Sequence, residues 1–382
     1  MMKFRPILLI LLLQFFASPV FSEIIHSPGQ DFYLDPPEGW SFIDTPTPEY
    51  LAMTDQAHEA VFQVLIRDPV DPDISIAGKT MMTKLKATGE FSVFDYFGRE
   101  SWLGSLEFVT GPGPVTGWGL IIPWKGKHLT ALAFAPRDLY GKYSDALNSA
   151  LNSLALGEGG RREPGPLSRI YQLSTASTPA ASFGVSIMDV NHDLAYPGQL
   201  DAATEVVILR ESRLLMPYAT SALVTEAWPR FYRQIFRDTY LSLKPLADIW
   251  ENSVRDGLLK PDEIPQKILT WLQGFEYARK GGISDLSSPW ETLKSGEGDC
   301  DSRALIYATL LQHFGYPAIL MVSQIYGHGM AAVDFPGPGA RFTFKEKKWL
   351  IAELTAKVSL GQIPQDMADP SKWLGVDPLP KP

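Results

Sequence analysis

Ser295-Gly-Glu-Gly-Asp-Cys-Asp-Ser302 carries the single cysteine of a 382-residue chain, Cys300, and runs directly into a helical pattern. Ala304, Leu305, Ala308, Leu311 and Phe314 recur at helical spacing and define a buried face, and Gly315-Tyr-Pro317 stops it. Cys300 therefore falls in the first turn. There the unpaired backbone N–H groups and the positive end of the helix dipole favour a thiolate. Asp299 and Asp301 oppose that effect by like charge, so an imidazolium is needed nearby to hold the thiolate. Asp299 and Asp301 lack the spacing of an EF-hand calcium loop; they read as a helix cap and a solvated first-turn charge.

Two histidines follow. His313 lies on the same helix, about 20 Å further along at about 1.5 Å per residue, and is excluded as a direct partner. His328 is different. Ala318 to Ser323 reads as a strand, Gln324 to Gly327 as a turn, and His328 to Asp334 as the returning strand. Arg341 to Phe344 and Trp349 to Thr355 read as a further hairpin, in which Trp349, Ile351, Glu353 and Thr355 share one face by period two. Glu353 is an isolated carboxylate in an apolar strand. A buried charge needs a partner, and the imidazole of His328 is the natural one. A Cys-His-acid set of this kind suits nucleophilic catalysis, with the acid fixing the ring tautomer.

The runs Gly298-Asp-Cys-Asp-Ser-Arg-Ala304, Gly327-His-Gly-Met-Ala-Ala-Val333, Ala352-Glu-Leu-Thr355 and Gly361-Gln-Ile-Pro364 resemble the transglutaminase-like superfamily, in its bacterial branch of cysteine peptidases. The resemblance spans Pro261 to the region of Asp366. It implies a papain-like helix-plus-antiparallel-sheet core with nucleophile Cys300, base His328 and orienting acid Glu353. Many members carry Asp at the third position; Glu is one methylene longer. Some members bind the oxyanion with a glutamine or tryptophan side chain. Trp290 is the candidate for that role here, beside the backbone N–H of Cys300. No metal and no cofactor is expected.

The N-terminus reads as a secretory signal peptide over residues 1–22. Lys3 and Arg5 precede the apolar run Ile7 to Phe16, and Ala17-Ser-Pro-Val-Phe-Ser22 forms a small-residue cleavage region. The run is short for a span, which needs about 20 apolar residues, and no later stretch suffices. The chain is thus expected outside the cytoplasm, periplasmic or secreted, with no integral membrane span after cleavage. Exported proteins tend to pair their cysteines or lack them, which makes a solitary one a candidate nucleophile. The 34 basic and 43 acidic side chains give a net charge of −9, and loss of Lys3 and Arg5 would make the remainder more acidic. That argues against nucleic acid and anionic membrane surfaces as partners.

Residues 23–157 read as an α+β domain. Ala60 to Ile66 is a strand expected to be covered on both faces, and Ser75 to Thr88 is helical. Strands follow at Phe91 to Phe97, Glu100 to Thr110, Val115 to Pro123 and His128 to Ala135. An amphipathic helix from Asp138 to Leu156 closes the domain. His58 and His128 are read as lone surface or core histidines. This order, with Tyr33-Leu-Asp-Pro-Pro-Glu-Gly-Trp40 and Tyr143-Ser-Asp-Ala-Leu-Asn-Ser-Ala-Leu-Asn-Ser153, resembles PsbP-like domains. The resemblance implies an antiparallel sheet flanked by helices and a docking role toward an envelope protein partner.

Gly157-Glu-Gly-Gly-Arg-Arg-Glu-Pro-Gly-Pro166 has linker composition. It opens a mainly helical connector, 158–254, with one strand at Ser182 to Met188 and Asp201 as an N-cap. The Val206 to Leu209 run suits either helix or strand. The transglutaminase-like domain then occupies 255–382. Two functions fit this α+β organisation. The first is an exported thiol-dependent acyl-transfer enzyme, a cysteine peptidase or amidase acting on peptide or glutamine-type amides, with hydrolysis expected over cross-linking. The second is an inactive binding or scaffolding protein of the cell envelope.

Overall fold

The computed structural model describes residues 24–174, 180–197 and 200–380. The expected signal peptide lies outside them. Among the described residues no helix is long and apolar enough to cross a membrane. The chain is mixed α and β with antiparallel main sheets, in two compact units: residues 38–147, and residues 24–37 with 148–380.

The first unit is a seven-stranded antiparallel sheet in the order Ser41–Phe42, Tyr50–Thr54, Val61–Arg67, Lys127–Pro136, Pro114–Trp124, Glu100–Val109, Phe91–Asp95. Phe62, Val64 and Ile66 are buried, while Val61, Gln63 and Leu65 remain half-buried. One face of this strand is therefore closed and the other only partly covered, where the sequence suggested two closed faces. The Ile74–Leu85 helix begins where Asp73 accepts hydrogen bonds from the N–H groups of Ser75 and Ile76. Ile74, Ala77 and Met81 pack on Trp102 and Leu106 of the sheet. The approach is so close that a Cβ at Gly78 would come within 2.2 Å of the Trp102 indole. His58 is exposed and His128 is buried.

The Tyr140–Asn152 helix carries the chain into the second unit and stops earlier than its apolar periodicity suggests. Ser153 ends it: its Oγ donates to Ala150 O and accepts from the N–H of Asp35. Ala155–Leu156 then pairs as a strand with Phe32–Leu34, which is why residues 24–37 belong to this unit.

The second unit also draws its boundary differently from the sequence reading. Residues 158–254 are not a separate connector, because their apolar side chains enter the same core as those of 255–380. Phe231, Tyr232, Phe236 and Trp250 join Leu305, Tyr307 and Leu311 in one cluster. The glycine-rich stretch after Leu156 is pinned. Arg237 donates to the carbonyls of Asn152, Leu154 and Glu163, and Asn152 bonds Ser168. Residues 200–215 resolve as one helix, with Val207 and Ile208 buried and Val206 and Leu209 outward. Asp201 is inside its first turn and accepts a hydrogen bond from Ser288, so it is not the N-cap. The lone strand expected at Ser182 to Met188 is half of a hairpin, Ala180–Ile187 with Val190–Pro197, turned by Met188 and Asp189 at positive φ.

Two buried carboxylates tie the Val224–Tyr240 helix into this unit. Glu211 meets Arg210, Arg230 and Ser149, and Asp35 meets Arg233 and Gln234. Burial alone would raise both carboxyls, yet the guanidinium charges hold them below the ordinary range.

The C-terminal sheet is antiparallel in the order Arg341–Phe344, Lys347–Ala352, His328–Val333, Ala318–Ser323, Leu374–Val376. Period two sorts its faces. Leu320, Val322, Ala331, Val333, Leu350 and Ala352 belong to the core shared with the Cys300–His313 helix. Ile319, Met321, Met330, Trp349 and Ile351 pack on the other side with Trp373.

Candidate active site

Asp299 starts the central helix: its extended backbone and Oδ1, which accepts from Ser302 N–H at 2.8 Å, make it the N-cap. Cys300 is the first helical residue and is 3% exposed. Beneath it Arg303 is fully buried. Its guanidinium donates to the carbonyls of Gly298, Leu354 and Phe275 and locks three segments of the site together.

His328 opens the adjacent strand. Its Nε2 lies 2.8 Å from Glu353 Oε2. Glu353 Oε1 accepts from Thr355 N–H at 2.7 Å and from Thr355 Oγ at 2.6 Å. Burial pushes the Glu353 carboxyl up, but the hydrogen bond and charge of His328, with the two Thr355 donors, hold it below its ordinary 4.5. An ionised carboxylate only accepts hydrogen bonds, so Nε2 carries the proton and Nδ1 is the basic ring nitrogen.

The expected strand to Thr355 ends at Ala352, the residue paired with Ala331. Glu353 sits just past that end. Its carbonyl is taken by Gln273 Nε2, which also bonds Val358 O, and its side chain is released toward His328. Imidazole and carboxylate are thus paired, with the acid supplied from just past a strand end rather than from within the strand.

Cys300 is brought against the same strand. The N–H of Gly329, the residue after His328, donates to Cys300 Sγ, and the charge of His328 is felt at the neighbouring Asp301. The helix dipole does not prevail at the sulfur. Burial, then Asp301 and Asp299, push the thiol up to about 12, against the Gly329 N–H and the Arg279 charge. The resting group is a thiol that needs a base at the moment of attack.

Asp301 departs from its expected role as a solvated charge. Tyr232 hydrogen-bonds its carboxyl, and burial together with Asp299 raises it to about 7. A raised carboxyl stabilises the fold below its ordinary 3.8, and that contribution fades as pH climbs through about 7. Asp301→Asn, which keeps an acceptor for Tyr232, is expected to remove this fade in denaturant titrations run across pH. It should also lower the Cys300 thiol, giving about tenfold faster iodoacetamide alkylation at pH 8, a one-unit shift.

Trp290 is 1% exposed and lies in the core, its ring edge-to-face with Phe183 at 6.2 Å. His313 bonds Tyr240 O at 2.8 Å and stacks on the Tyr240 ring, a packing role. Three residues entered the site without a sequence signal. Trp373 stands edge-on to the His328 ring at 6.2 Å. Tyr277 ends, and Arg279 follows, a two-residue strand, Glu276–Tyr277, that pairs in parallel with Glu297–Gly298. The preceding helix, Ile264–Leu272, stops before both of them. Among the described residues no group of three or more His, Cys, Asp or Glu could hold a metal ion.

No family model matches the sequence, and no curated protein matches it. Solved structures with some similarity include cyanobacterial PsbP (CyanoP) from Synechocystis sp. PCC 6803: 14% identity, 35% of this chain and 91% of that one covered, TM-score 0.30. LpqN of Mycobacterium tuberculosis, involved in cell envelope biogenesis, is 15% identical, with 35% and 90% covered and a TM-score of 0.26. A Bacteroides thetaiotaomicron protein is 9% identical, with 82% and 87% covered and a TM-score of 0.27. At these levels none of the three bears on activity.

Proposed function

We propose that the chain is an exported thiol-dependent acyl-transfer enzyme, a transglutaminase-like cysteine peptidase or amidase acting on peptide or glutamine-type amides. The observation that carries this reading is the 2.8 Å His328–Glu353 bond, with Gly329 of the same strand donating to Cys300 Sγ. Nδ1 of His328 takes the thiol proton as sulfur attacks the amide carbon. The backbone N–H of Cys300, in the first helical turn, is available to the oxyanion. Collapse breaks the C–N bond, and the imidazolium gives its proton to the leaving amine. Water, deprotonated by the freed imidazole, then cleaves the thioester to a carboxylate and restores the thiol. The charged and apolar pattern of residues 1–22 supports export.

The burial of Cys300 favours a second reading, an inactive binding or scaffolding protein of the envelope that uses its N-terminal domain for docking. Iodoacetamide separates the two, because the chain has one cysteine and intact mass reports it alone. With a working base, His328→Ala is expected to slow alkylation at pH 7 by at least about tenfold. A wild-type thiol that reacts no faster than the variant would leave the scaffolding reading.

A further inference from the structure

We propose that Arg279 forms a carboxylate-binding subsite at the mouth of the Cys300 site, so that the attacked amide lies beside an acidic group of the substrate. This rests on the acyl-transfer reading and adds a substrate class to it.

Arg279 is placed by backbone pairing. Glu276–Tyr277 runs parallel to Glu297–Gly298, and Ala278 N–H donates to Gly298 O, so its segment flanks the approach to Cys300. The guanidinium reaches across the site. Nε donates to Tyr277 OH at 2.9 Å, and Nη2 to the carbonyl of Gly327, the residue before His328, at 3.3 Å. These bonds orient the fork while the side chain stays half exposed. Its positive charge acts on Cys300, Asp299 and Asp301.

The other guanidinium of the site cannot do this work. Arg303 is 1% exposed and spends its donors on three carbonyls. Arg279 retains donors, and one end already faces a carboxylate: Nη1 lies 3.6 Å from Asp285 Oδ2, beyond hydrogen-bond length. An exposed pair of that kind contributes little and yields readily to a bidentate ligand. Without Arg279, Asp299 and Asp301 would make the mouth repel anions. A half-exposed, pre-oriented guanidinium at that spot reverses the preference. The carboxylate could come from an acidic side chain or from a free peptide C-terminus.

Iodoacetate and iodoacetamide test this on the full chain, since they share a leaving group and differ in a carboxylate. Their rate ratio at Cys300 cancels any change in thiolate fraction. Relative to free cysteine, the wild-type ratio is expected to favour iodoacetate by about tenfold at low salt and to fall as salt is added. Arg279→Gln should abolish the preference and Arg279→Lys restore part of it. Two peptides then assign the source by protecting Cys300 from iodoacetamide. Protection by Ac-Ala-Glu-Ala-NH2 marks an acidic side chain, and protection by Ac-Ala-Gln-Ala-OH marks a chain end. A ratio unchanged by Arg279→Gln, or protection by neither peptide, overturns the subsite while leaving Cys300 a nucleophile. A Cys300 inert to both reagents overturns the acyl-transfer reading and the subsite with it.

Discussion

Glu353→Ala is expected to lower the stability of the chain by about 3–5 kcal/mol, the range for breaking a buried charge pair, and to slow Cys300 chemistry roughly a hundredfold to a thousandfold. The side chain is 1% exposed and serves three donors at once: His328 Nε2, Thr355 N–H and Thr355 Oγ. Alanine strands all three in a dry place, and each buried orphan costs about 1–3 kcal/mol. It also frees the imidazole to rotate and to take the wrong tautomer, so Nδ1 is no longer held as the base. Urea titrations read the first effect; alkylation rates at pH 7 read the second. Glu353→Gln removes the charge and keeps one acceptor, for Nε2, but its NH2 group then faces the Thr355 N–H, so it should cost less stability than alanine without matching wild type. The pH dependence has a definite sign. The folded carboxyl is held below 4.5, so its stabilisation is complete above that value and is lost as pH falls through the lower folded one. Wild type and Glu353→Gln should therefore converge in stability on acidification. Parallel curves, or an alanine variant as stable as wild type, would remove Glu353 from its orienting role.

The legibility of this site in the sequence follows the range of the physics involved. Cys300 at a helix start was readable because its cap, Asp299, and its stop, Gly315-Tyr-Pro317, are local features. His328 was readable as a strand start because the flanking apolar runs alternate with period two. Glu353 was readable through the cost of an isolated carboxylate, which demands a partner even when its exact element is misjudged. Asp301 was not readable, because the group that shields it, Tyr232, comes from a helix far earlier in the chain. Arg279 and Tyr277 were hidden for another reason: a two-residue parallel pairing leaves no periodicity to detect. The same limit explains the fold. The main sheets and the long helices announce themselves by repeating side chains. The Val190–Pro197 strand, with Asn191-His-Asp193 near its start, does not. Nor does composition reveal that a glycine-rich linker is fastened by Arg237 and Asn152.

Gly329→Ala tests the proximity on which the catalytic reading depends. A Cβ at this position would lie 1.9 Å from Asp301 Oδ1 and 3.5 Å from Asp301 Cα. Contact that short cannot persist, so either the carboxyl leaves its place beside Tyr232 or the His328–Val333 strand moves off the Cys300–His313 helix. The first response breaks a buried hydrogen bond and the second draws the Gly329 N–H away from Sγ. Overpacking of this kind costs about 1–3 kcal/mol, and a displaced His328 should lower the alkylation rate at pH 7 by about tenfold or more. A structural defect alone could produce both losses, so the informative measurement is a double-mutant cycle with Asp301→Ala. Removing the carboxyl opens the space that the methyl group needs. The pair Asp301→Ala, Gly329→Ala is therefore expected to regain stability relative to the sum of its single variants, by about 1–3 kcal/mol of coupling. Its alkylation rate should return toward that of Asp301→Ala alone. Strict additivity would mean that the strand and the helix start do not meet as closely as the geometry requires, and the route from His328 to the sulfur would lose its support.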